Sequence, residues 1–246
     1  MENVLFFNKE NGFKVVVNHR FDNKPMIVIF PGGGYHHLST REAIPVSDKF
    51  LSLGYNTTIV YYSVAPHANF VQEEQANLVI KELSKKYNDI FVVGFSAGGH
   101  LAGLCATQVN VYNIKGMVLC YPVISLNEYT HKGTQENFLK DCNTLENQTK
   151  YSIHNRINAD TVPCFIWATK DDASVPYQNT LMMIDKLKEN KVFNRHVIFP
   201  SGPHGMALAD ESAIKDGDTS YVNKEVAVWP SLVDEFIKDV ISNGKK

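Results

Sequence analysis

With 246 residues, 44% of them hydrophobic, the chain carries enough apolar content for one substantial α/β core. A formal net charge of −2 and a pI near 6.5 exclude the strongly basic balance that nucleic acid or an anionic membrane would require. Four widely spaced cysteines without a C-x-x-C pair suit a reducing compartment, and no apolar run reaches membrane-spanning length. The first ten residues lack the basic, apolar and small-residue succession of a leader. The expected protein is therefore cytoplasmic, with no nucleic acid and no membrane as partner.

In chain order, residues 4–7 and 13–17 read as short strands joined at Asn11-Gly12, a hairpin signal. Residues 26–30 form a continuous apolar strand running into Pro31-Gly32-Gly33-Gly34-Tyr35. A helix is expected over 41–53, with Ser39 or Thr40 as N-cap and Gly54 as its stop. The β-branched and aromatic stretch 57–62 predicts a strand. Residues 71–87 show helical spacing through Ala76, Val79, Ile80 and Leu83. The apolar run 90–93 predicts a buried strand, and a small-residue helix follows to about residue 107. A further strand over 114–121 ends at Pro122. The polar stretch 125–160 has no long periodic run and reads as an insertion, or cap, over the site. Strands at 162–169 and 196–199 bracket a helix over 177–190 with Leu181, Ile184 and Leu187 inward. An amphipathic helix over 226–241 closes the chain. Alternating strands and helices of this length predict a mostly parallel sheet with helices on both faces, in a single domain over 1–246.

The organising motif is Gly94-Phe95-Ser96-Ala97-Gly98, a G-x-S-x-G between a strand and a helix. A sharp strand-to-helix turn holds its middle residue in a strained conformation with the side chain at the tip, and the flanking glycines leave room for neighbouring backbone. Ser96 is thereby presented as a nucleophile above a helix N-terminus. A serine hydroxyl needs a base, and the base an orienting carboxylate. Asp172 follows the strand ending near Thr169. It is preferred over Asp171 because the D-x-x-V-P spacing places it ahead of Pro176. His204 follows the last strand in the loop Pro200-Ser201-Gly202-Pro203-His204-Gly205 and is preferred among nine histidines for that location. The order Ser96, Asp172, His204 is that of an α/β-hydrolase. The N–H of Ala97, facing those of Gly33 and Gly34, would form an oxyanion hole, where each donor is worth roughly 3–4 kcal/mol of barrier. The glycine run lacks the lysine and acidic residue of nucleotide-binding loops. No ligand-spaced histidine set suggests a metal.

On these residues the chain resembles the α/β-hydrolase superfamily. More closely it is similar to small bacterial esterases related to acetyl xylan esterases and to hormone-sensitive-lipase-like carboxylesterases. The likeness runs through Pro31-Gly32-Gly33-Gly34-Tyr35, Tyr62-Ser63-Val64-Ala65-Pro66, Gly94 to His100, Tyr121-Pro122, Asp172 with Val175-Pro176, and His204-Gly205. Pro31 stands where many relatives carry His. The resemblance implies Ser96 as nucleophile, Asp172 as triad acid, His204 as base, and Gly33, Gly34 and Ala97 as the oxyanion hole. It implies a serine carboxylesterase acting on a small-molecule ester of a short acyl group, most simply acetyl, with no metal and no organic cofactor. A sugar as the alcohol comes from resemblance alone; Tyr129 and Asn137 in the polar insertion are compatible with it. The triad does not encode the leaving atom, so an amidase, formamidase or peptidase of the same fold stays open, as do a homo-oligomer and a binding protein that has kept the fold.

Overall fold

A computed structural model of the chain describes residues 3–67, 70–108, 112–214 and 217–243. Met1 and Glu2, which head the stretch read for a leader, lie outside them. Eight strands form one sheet: β1 (Asn3–Asn8), β2 (Phe13–Asn18), β3 (Met26–Phe30), β4 (Asn56–Tyr61), β5 (Ile90–Phe95), β6 (Ile114–Cys120), β7 (Cys164–Thr169) and β8 (Asn194–Phe199). Their order is β1-β2-β4-β3-β5-β6-β7-β8. The β1–β2 and β2–β4 pairs are antiparallel, and all pairings from β4 through β3 to β8 are parallel.

The period of two along each buried strand divides the core. Met26, Val28, Phe30, Ile90 and Val92 face α2 (Val71–Leu83), α3 (Ala97–Ala106) and α6 (Gln178–Glu189). Ile27, Ile29, Phe91, Val93 and Phe95 face α1 (Ile44–Ser52) and α7 (Trp229–Asn243) on the other side. Strands with two buried faces read as unbroken apolar runs, which is why β3 and β5 stand out in the sequence.

Several boundaries differ from expectation. The helix expected over 41–53 is broken: a short 3₁₀ turn covers Thr40–Glu42, and α1 begins only at Ile44. Pro45 has no N–H to donate to Arg41 and disfavours a helical residue before it. Ser39 precedes the turn but makes no side-chain cap bond. In α6 the inward residues are Met183, Ile184 and Leu187, whereas Leu181 is exposed. The expected helix over 71–87 ends at Leu83, and the closing helix starts as a 3₁₀ turn over Val226–Val228. Between β6 and β7, the polar stretch folds as α4 (Lys132–Leu139) and α5 (Leu145–Tyr151) with short 3₁₀ turns. Cys105, Cys120 and Cys164 are buried as small apolar residues, and all four cysteines are free. Among the described residues no helix is long and apolar enough to cross a membrane.

The start of α3 crosses β3 in backbone contact. A Cβ on Gly98 would overlap the carbonyl oxygens of Phe30 and Pro31. Gly98→Ala is therefore expected to destabilise the protein by about 1–3 kcal/mol, read as a lowered urea midpoint, because backbone on both sides must shift.

Candidate active site

The turn between β5 and α3 holds Ser96 at φ 52°, ψ −117°, a conformation non-glycine residues rarely adopt. The turn is fixed by its neighbours: the Ser96 N–H donates to Cys120 O at 3.0 Å, and Ser96 O accepts from the N–H groups of His100 and Val123, each at 3.1 Å. A Cβ on Gly94 would overlap the Gly98 carbonyl, so both glycines are needed to fold the chain back on itself.

Three side chains from three strand ends meet here. His204 Nε2 lies 2.8 Å from Ser96 Oγ, and His204 Nδ1 lies 2.7 Å from Asp172 Oδ2. The Asp172 side chain is fully buried, and its Oδ1 accepts from the N–H groups of Ser174 and Val175, both at 2.9 Å. With four acceptor positions and no donor, a carboxylate so held fixes the imidazole with its proton on Nδ1, leaving Nε2 to accept from the serine. Asp171 acts elsewhere. Its Oδ1 accepts from the Gly202 N–H at 2.7 Å and ties the loop after β8 to the loop after β7.

The glycine loop after β3 forms the facing wall. Gly33 and Gly34 have φ of 129° and 63°, and a Cβ on Gly33 would overlap the His37 carbonyl. Among the described residues the N–H groups of Gly33, Gly34 and Ala97 have no hydrogen-bond acceptor. Backbone donors held free beside a hydroxyl suit developing negative charge.

Beneath this loop is a network that motif reading did not find. Buried Glu42 accepts from the Gly32 N–H through Oε2 and from the Tyr121 hydroxyl through Oε1, both at 2.7 Å. The Tyr121 oxygen accepts in turn from the Ala207 N–H at 2.9 Å, and its ring packs edge-on against His204 with centroids 5.1 Å apart. Burial first, and the nearby Glu42 carboxylate second, push the Tyr121 hydroxyl well above its ordinary pKa, so it stays a donor. The available signal was Glu42 falling in helical phase with Val46 and Phe50, a carboxylate on an apolar stripe.

A cleft of about 380 Å³ lies over Ser96. His131, Gly133 and Asn137 of the β6–β7 segment line one part of it, and Arg41 and Gly205 another. Asn137 Nδ2 donates to Gly34 O at 2.9 Å, coupling α4 to the glycine loop. His131 Nδ1 accepts from the Thr134 N–H at 3.1 Å and caps α4, which leaves its proton on Nε2. Burial, then the neighbouring His204, lower the His131 pKa, so it is a neutral donor. The sequence offered no companion motif for His131. Tyr129 is exposed and is not among the cleft residues. Among the described residues no group of three or more His, Cys, Asp or Glu could hold a metal ion.

A mostly parallel sheet with a strained serine between its central strand and a buried helix defines the α/β-hydrolase fold. Residues 72–221 match the prolyl oligopeptidase family, and the chain belongs to it. The structure superposes on an acetyl ester-xyloside bifunctional hydrolase from Caldicellulosiruptor lactoaceticus (TM-score 0.83, 31% identity, 97% of this chain and 92% of that one). It superposes equally on a sugar hydrolase from Lactococcus lactis (TM-score 0.85, 30% identity, 99% of both chains). An acetylxylan esterase of Xylanibacter ruminicola is 32% identical over 201 residues, which is 74% of this chain. The chain spans 33–41% of the length of the curated relatives it matches.

Behind the serine, fully buried His100 accepts from the Tyr35 hydroxyl at 2.9 Å through Nδ1 and donates to Tyr151 O at 2.8 Å through Nε2. Burial lowers its pKa to about 3. Below pH 6.5 the unfolded chain binds a proton there that the folded chain refuses, so stability falls as pH drops from 6.5 toward 3 and is flat above. Urea titrations of wild type and His100→Gln across that window should show the unfolding of the variant taking up about one proton fewer. Equal slopes would contradict the buried neutral imidazole.

Proposed function

We propose that the protein is a serine carboxylesterase that removes short acyl groups, acetyl above all, from a hydroxyl-bearing alcohol of the sugar class. The observation that carries this is the unbroken line from Asp172 Oδ2 through His204 to Ser96 Oγ, at 2.7 and 2.8 Å, beside free glycine amides. Ser96 Oγ attacks the ester carbonyl while His204 Nε2 takes its proton, and Asp172 stabilises the imidazolium. Negative charge on the former carbonyl oxygen is received by the N–H groups of Ala97 and of Gly33 or Gly34. His204 then gives its proton to the leaving alkoxide, leaving an acyl group on Ser96. The same base draws a proton from water to release the acid and restore the hydroxyl.

The acetyl and sugar parts of this reading draw support from the relatives that are an acetyl ester-xyloside hydrolase and an acetylxylan esterase. They also draw support from the cleft, whose wall offers the neutral donor of His131 and the Asn137 amide. Because the matched family is named for an oligopeptidase, amide cleavage is the second reading.

Ser96→Ala should abolish p-nitrophenyl acetate turnover, about 10⁴-fold or more, with circular dichroism unchanged. Retained turnover would refute the nucleophile. Asp172→Asn should cost about 10³–10⁴ in kcat, and Asp171→Asn far less, because among the described residues Asp171 hydrogen-bonds only the Gly202 backbone. Parallel assays on acetate esters and the matching anilides decide between the two readings. Faster cleavage of the anilide would favour the peptidase.

A further inference from the structure

We infer that Arg41 forms an anion subsite in the cleft and that the favoured ester carries a carboxylate on its alcohol portion. This rests on the esterase reading above: an acetyl group has no place for a charge, so the charge belongs to the alcohol.

The guanidinium is ordered before any ligand arrives. Its carbon lies 4.0 Å over the Tyr221 ring, and Nη1 donates to Ala213 O at 3.1 Å. Nη2 lies beside Gly205, 3.6 Å from where a Cβ would stand, and Gly205 adjoins His204. Arg41 lines the cleft together with Ser96 and His204.

Among the described residues no carboxylate forms an ion pair with Arg41. The other partly buried arginines are paired, Arg156 with Glu73 at 3.1 Å and Arg195 with Asp239, and Arg20 is exposed. Among the described cleft-lining residues Glu42, next in sequence, is the one carboxylate, and both its oxygens are engaged by Gly32 and Tyr121. Asp218 feels the Arg41 charge, but it is fully exposed and turned to the Ser220 N–H. The ring and the carbonyl occupy one face and one edge of the guanidinium. A planar cation so held, with a nitrogen left over at the cleft wall, matches a carboxylate better than a hydroxyl. If Arg41 were only a strut for the loop carrying His204, its loss would affect every substrate alike.

Two acetate esters differing only in charge, 4-acetoxybenzoate and 4-acetoxybenzamide, separate these roles. Comparing wild type with Arg41→Gln cancels their intrinsic reactivity. The anionic ester is expected to lose about tenfold more kcat/KM than the neutral one, and the excess should shrink in 1 M NaCl. Arg41→Lys, which keeps the charge and loses the fork, should fall between. Equal losses on both esters, or a neutral ester that suffers more, would overturn the subsite. If wild type hydrolyses neither ester, the esterase reading fails on its own. The subsite is then read by calorimetric binding of benzoate, and equal affinity in wild type and Arg41→Gln would overturn it.

Discussion

The structure depends on how closely the start of α3 approaches the end of β3. Gly98 lies against the carbonyls of Phe30 and Pro31, and Gly94 against the carbonyl of Gly98. Only that proximity lets the chain reverse within one residue and carry Ser96 at φ 52°. Strain of this kind costs of order 1–3 kcal/mol and survives only where surroundings over-determine it. Here three backbone hydrogen bonds to Ser96 and a wholly buried helix do so.

The same proximity sets the positions of the other loops. The parallel strands β3, β5, β6, β7 and β8 all deliver their carboxyl ends to one edge, where a ligand-binding crevice forms in sheets of this type. Loops alone would leave the imidazole free to wander. Instead Asp171 and Thr169 both hold Gly202, Tyr121 holds Ala207 through its hydroxyl, and Trp229 Nε1 donates to Ala207 O from the opposite side. His204 thus hangs between anchored points on either side. Glu42 extends the same bonding to the glycine loop, so that loop and the loop carrying His204 share one bonded frame.

Much of this was legible because the signals are local. G-x-S-x-G between an apolar run and small residues, a D-x-x-V-P after a buried strand, and a His among glycines and prolines each report nearby backbone. The sheet direction followed from strand and helix alternation, and residues 172 and 204 were placed by strand order. What escaped reading depends on long-range contact. Glu42 and Tyr121 are 79 positions apart and meet only through the fold. His131 has no companion motif in the sequence: its cap on α4 is a local bond to Thr134, while its place at the cleft is decided by how α4 packs. The helix break at Ala43 follows from Pro45, which a helix starting at residue 41 would have to hold in its first turns. Leu181 illustrates the limit of phase alone: a shift of the buried stripe toward Met183 left it in solvent.

The bond from Asn137 to Gly34 O has a consequence for any redesign of the cleft. The region between β6 and β7 both shapes the cleft wall and steadies the glycine loop. Grafting a foreign sequence there to change selectivity would also loosen the peptide groups beside the serine, unless the donor carries an equivalent amide. The shape of the cleft wall and the hold on the glycine loop are thus linked by a single side chain.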